Sequence, residues 1–91
     1  MMYISGRVTN NPNFMQDFSD GELDVVAMGC KPINPVANVP LGKSWIWYMR
    51  RDLRLLLDCD SIYMLKGWWR SRGARLEWII AKSLNYKIIY K

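Results

Sequence analysis

The feature that most limits what this chain can become is the alternation of its apolar segments. Short runs of strand type, "MMYISG", "CKPIN", "SIYMLKG" and "YKIIYK", are separated each time by a longer segment read as a helix. The order is β-α-β-α-β-α-β without exception. Such an order implies a parallel sheet, because parallel strands need long crossovers and helices supply them. Right-handed crossovers then place helices on both faces of the sheet. The expected fold is α/β, a four-stranded parallel sheet in the order 2-1-3-4. Its 91 residues fit one small domain, 1–91, with no repeat or linker.

The boundaries follow from local chemistry. Strand 1 ends at Gly6. A helix from Asn13 to about Met28 is capped by Asn13 and ended by Gly29, with Gly21 weakening its middle. Pro32 makes strand 2 an edge strand. Ser44 caps a stronger helix in which Ile46, Met49, Leu53, Leu56 and Leu57 recur at helical spacing and are expected to face the core. Strand 3 is a buried apolar run, and Ser71 opens a last helix that continues to about Leu84. Ligands of such sheets bind at the carboxyl ends of the strands where strand order reverses. That point lies between strands 1 and 3, beside Gly6, the segment after Leu65 and the helix start at Ser71.

Composition removes several kinds of chemistry. The chain has no histidine, so acid–base work falls to carboxylates, tyrosines or lysines. Its two cysteines, Cys30 and Cys59, form neither a disulfide framework nor a metal-ligand set. The net charge of +5 suits an anionic partner. With no 18-residue apolar run and no signal-peptide pattern, a soluble cytoplasmic protein without membrane attachment is expected.

Within "SRGARLEWII", Glu77 is unusual. Its helical neighbours three and four positions away are Gly73, Ala74, Ile80 and Ala81, none of them charged. Arg72, Arg75 and Lys82 fall on another face. A carboxylate on a small, uncharged face is either buried with a partner or opens into a pocket. Ser71 and Gly73 surround the helix start, where unpaired N–H groups favour an anion, although an N-cap is the commoner role for a serine there. Asp58 and Asp60 flank the start of strand 3, and either a capping or a site role is open to them. Tyr3 on strand 1 and Gly6 at its end border the expected ligand position. Trp45 and Trp47 lie two apart on one helix, so both cannot face the core. With Trp68 and Trp69 they suit an interface or a pocket wall better than a single-strand nucleic-acid platform.

The segments "MYISGRVT", "INP" and "YMRRDLRLLLDCDSIYMLKGWWRSRGARLEWIIAKSLNYKIIY" resemble the nucleoside 2-deoxyribosyltransferase superfamily, and most closely its short phage and prophage proteins of unknown function. The resemblance implies a flavodoxin-like three-layer α/β/α fold, homodimers or higher homo-oligomers, and cleavage of N-glycosidic bonds in deoxynucleosides or their monophosphates. The nucleophilic glutamate of the superfamily falls on Glu77, and a strand-initial aspartate falls on Asp60. The position six before the glutamate is Ser71. Serine there resembles the monophosphate hydrolases, in which it meets the 5′-phosphate. Those hydrolases carry serine after the first-strand glycine, where this chain has Arg7.

On this reading Glu77 attacks the anomeric carbon, Asp60 assists proton transfer and Tyr3 holds Glu77. Gly6, Arg7, Ser71 and Gly73 surround the phosphate, and neither a metal nor a cofactor is required. The alternative is a nucleotide-binding or sequestering phage protein that uses the same pocket without chemistry. Binding to nucleic acid ranks last.

Overall fold

The computed structural model describes residues 1–91. Strands β1 (Met2–Ser5), β2 (Pro32–Ile33), β3 (Ser61–Met64) and β4 (Lys87–Tyr90) form one parallel sheet in the order β2-β1-β3-β4. Helices α1 (Phe14–Ala27), α2 (Trp45–Leu57) and α3 (Arg72–Ser83) make the crossovers. This is a flavodoxin-like α/β fold with the strand order expected from the alternation. A short 3-10 turn, Trp68–Arg70, precedes α3 and has no counterpart in the sequence reading.

The sheet's period of two divides the core into halves. Met2 and Ile4 of β1, with Tyr63 and Leu65, face Phe18 and Val25 of α1. Tyr3 of β1, with Ile62 and Met64 of β3, faces Leu56 of α2 and Ala74 and Ala81 of α3. The register, Tyr3 beside Ile62 and Ile4 beside Tyr63, keeps each pair on one face. Gly21 proves to be a packing residue. A Cβ there would stand 3.0 Å from Leu65 Cδ2 and 3.3 Å from Ile4 Cγ2, so its absence lets α1 lie close against the sheet.

Two local expectations are corrected. Asn13 occupies the N-cap position of α1, but its side chain makes no capping hydrogen bond. Its own N–H is instead held by Asn11 Oδ1 at 3.2 Å, and the backbone N–H of Asp17 already pairs with Asn13 O. On α2, Ile46 and Leu57 are each 58% exposed, whereas Met49 and Leu56 are buried and Leu53 is half-buried. At 100° per residue both exposed side chains fall roughly 60° to one side of the Met49–Leu53–Leu56 line. The buried stripe is therefore narrower than the apolar spacing suggests. Trp45 and Trp47 are both partly exposed, so neither is a core residue. By contrast Ser44 caps α2 as expected, its hydroxyl accepting from the Trp47 N–H at 3.1 Å.

The narrow stripe gives a direct test. Leu56→Ala should lower unfolding free energy by about 3 kcal/mol, the loss typical of a leucine deleted from a closed core. Leu57→Ala, one residue on, should cost less than about 1 kcal/mol. Urea denaturation of both variants measures the difference, and equal losses would contradict the assigned face.

Candidate active site

Strand alternation and one helix face combine to place the central carboxyl. Tyr3 and Ser5 are two apart on β1 and point to the same side of the sheet. Across from them the buried face of α3 is Ala74, Glu77 and Ala81. The two alanines bring the helix backbone close, and Glu77 reaches β1. Tyr3 Oη donates to Glu77 Oε2 at 2.5 Å, and Ser5 Oγ donates to Oε1 at 2.7 Å. Glu77 is only 4% exposed, and no buried side-chain polar atom lacks a partner. No cationic side chain forms an ion pair with it.

Opposing effects act on this carboxyl. Burial raises its pKa, the hydroxyls of Tyr3 and Ser5 lower it, and the nearby negative charge of Asp52 raises it again. Burial is the largest, and the pKa is pushed up to about 8. Burial and the neighbouring Glu77 likewise hold the Tyr3 hydroxyl well above its ordinary value, so it stays a neutral donor.

Glu77 opens into a cavity of about 250 Å³ at the carboxyl ends of the strands. Its walls include Gly6 after β1, Val36 after β2, Trp45, Met49 and Asp52 of α2, and Ser71 and Gly73 at the start of α3. This is the strand-order reversal between β1 and β3. Asp52 is the second acid of the cavity. Its carboxyl is mostly buried, with Arg51 Nη1 at 3.3 Å. Burial pushes its pKa up to about 6, against the opposing pull of Arg51. Ser71 caps α3, its Oγ accepting from the Ala74 N–H at 3.1 Å. The hydroxyl proton makes no hydrogen bond within the protein and is free to meet an anion.

The structure thus gathers Tyr3, Gly6, Ser71, Gly73 and Glu77 around one cavity, directly or by contact with its walls. Arg7 lies outside it and lines an adjoining chamber instead. Asp60 is not brought in, which corrects its assignment as a catalytic residue. It precedes β3, at the amino ends of the strands, and its side chain is 86% exposed and paired with the Met1 amine at 3.3 Å. That amine holds its carboxyl below the usual range. Asp58 caps the end of α2, also away from the cavity.

Sequence reasoning missed Asp52 and Ser5, although both left a signal. The neighbours of Asp52 at three and four positions are Tyr48, Met49, Leu55 and Leu56, all uncharged, as with Glu77. Ser5 shares the Tyr3 face by strand alternation. No group of three or more His, Cys, Asp or Glu side chains converges as a metal-ligand set.

Fold and cavity define an α/β protein with a paired-carboxylate pocket at its topological switch point. The chain belongs to the domain of unknown function family DUF4406, whose model matches residues 1–90. No curated protein matches the chain.

The buried carboxyl has a thermodynamic signature. An unfolded glutamate ionises near its ordinary value of about 4.3, while folded Glu77 holds its proton to about 8. The unfolded state therefore loses its proton first as pH rises. This contribution costs stability increasingly from about pH 4.5 to pH 8 and then levels off. Glu77→Gln removes the titration, so its stability relative to the parent should rise by roughly 4 kcal/mol between pH 5 and pH 8, the size that a shift to about 8 implies. Melting curves at both pH values check this. A relative stability that does not rise between them would contradict it.

Proposed function

We propose that this protein cleaves the N-glycosidic bond of a deoxynucleoside 5′-monophosphate through a glycosyl ester on Glu77, as in the nucleoside 2-deoxyribosyltransferase superfamily it resembles. The single observation that carries the reading is Glu77 itself. It is a buried carboxyl without a cation, fixed by two hydroxyls, and it faces a cavity with a second acid. A purely structural glutamate would not need an opening to solvent.

In the first step a Glu77 oxygen bonds to C1′ of the sugar. The C1′–N bond breaks, its electron pair stays on the base nitrogen, and protonated Asp52 supplies the proton the departing base takes up. In the second step water, or another base, attacks C1′ and frees Glu77, with Asp52 accepting the proton. Tyr3 and Ser5 keep the carboxyl in one orientation, so its attack needs no rotamer search. The unused Ser71 proton and the N–H groups opening α3 bind the 5′-phosphate. Asp52 takes the role that the sequence alone gave to Asp60.

The protonation states favour a specific pH profile. Glu77 must be ionised, so rate falls as pH drops below about 8, and Asp52 must be protonated, so rate falls as pH rises above about 6. Only about one molecule in a hundred holds both states at pH 7, and a bell centred there results. Base release from deoxynucleoside monophosphates, followed by chromatography, should show that bell. Glu77→Ala should lower kcat at least about 1,000-fold, and Asp52→Asn about 100-fold or more. Undiminished release by Glu77→Ala would remove Glu77 as nucleophile.

One observation favours a second reading. With its pKa near 8, most Glu77 is neutral at physiological pH. A protein that binds nucleotides without reacting would keep such a carboxyl as a hydrogen-bonding group. That reading predicts nucleotide-dependent thermal stabilisation with no free base at any pH.

A further inference from the structure

Beside the carboxylate cavity lies a second chamber of about 290 Å³. The two share Thr9, Trp45, Ser71 and Gly73 as walls, so they meet at the start of α3. Their chemistry is opposite. The first holds both acids and a mostly apolar lining. The second is lined by Arg7, Arg70 and Arg72 and contains no carboxylate.

None of the three guanidinium groups pairs with an acid anywhere in the protein. Arg7 donates only to the Thr9 carbonyl, at 3.2 Å through Nε. Arg72 lies over the Trp45 ring, with Cζ 3.9 Å from its centroid. This cation–π contact holds the guanidinium but leaves its N–H groups free for donation to phosphate oxygens. Three like charges around one chamber repel each other, and an anion there relieves that repulsion.

A phosphate bound at Ser71 would sit at the junction of the chambers, beside the one lined by Arg7, Arg70 and Arg72. A phosphomonoester brings about two negative charges, and a second phosphoryl group adds about one more. Charge balance and the direction of the chamber both call for that second group. We infer that the preferred substrate or ligand is a nucleoside 5′-diphosphate or longer 5′-oligophosphate, its base and sugar in the carboxylate cavity and its outer phosphates among Arg7, Arg70 and Arg72. The inference rests on the reading that Ser71 receives the 5′-phosphate, and it names the substrate class of that site.

The test separates binding from chemistry by using Glu77→Gln protein. Isothermal titration at fixed ionic strength compares inorganic phosphate with pyrophosphate, and a deoxynucleoside monophosphate with its diphosphate. The extended anion of each pair should bind about tenfold more tightly, the return of one added charge-assisted contact. Arg70→Gln and Arg72→Gln should each bring that ratio close to one; both side chains are exposed, so the fold is retained, and circular dichroism checks this. Equal affinity within each pair, or a ratio unchanged by both substitutions, overturns the inference. Tighter binding of a 5′-phosphorylated oligonucleotide than of the diphosphate overturns it too, since the chamber would then track a strand. Base release is assayed separately on the parent protein. Release from monophosphates without any diphosphate preference defeats the inference alone. A diphosphate preference without base release from any nucleotide supports it and defeats the catalytic reading.

Discussion

The contact on which the site depends is the grip of two β1 hydroxyls on the Glu77 carboxyl. It joins the central strand to α3 across the core, at 2.5 Å from Tyr3 and 2.7 Å from Ser5. Each part follows from a periodicity. Tyr3 and Ser5 share a face because a strand repeats every two residues, and Ala74, Glu77 and Ala81 share one because a helix repeats every 3.6. The small alanines let the carboxyl reach the sheet. The sheet order then sets the cavity beside it, since β1 and β3 are neighbours from which the crossovers leave in opposite directions.

That grip carries a tension between stability and reactivity. Two donors favour an ionised Glu77, while burial and Asp52 disfavour it, and burial wins. A fold selected only for stability would place an amide or an apolar side chain here. Retaining an acid in so dry a position stores free energy that a reaction, or a tightly held ligand, can use. Asp52 shows the same pattern more weakly, with Arg51 close enough to moderate it. The pair shares its cavity with Ser71 at the start of α3, where the positive end of the helix favours an anion.

Much of this was legible in the sequence. The β-α alternation fixed the parallel sheet and its order, and the uncharged neighbours of Glu77 marked it as buried. The failures have physical reasons. The catalytic role of Asp60 rested on its match to the strand-initial aspartate of the superfamily the chain resembles, but the amino ends of parallel strands face away from the pocket. Asp52 passes the same neighbour test as Glu77, yet it lies in the arginine-rich stretch "RRDLR", where a carboxylate reads as an ordinary ion pair. The width of the α2 stripe depends on how the helix lies on the sheet, so Ile46 and Leu57 could not be placed by spacing alone. The contact of Arg72 with Trp45 joins two distant segments, and single-chain periodicity carries no trace of it.

The central claim is that Glu77 forms a covalent bond to the sugar. A 2′-fluoro-2′-deoxyarabinonucleoside 5′-phosphate slows the second step more than the loss of an active leaving group, because the fluorine destabilises the cationic transition state. Incubation with this compound followed by intact-mass and peptide spectrometry measures the bond directly. The account predicts an added mass equal to the fluorosugar phosphate, located on the peptide carrying Glu77 and absent from Glu77→Gln. Base release without any adduct, or an adduct on another side chain, would contradict it.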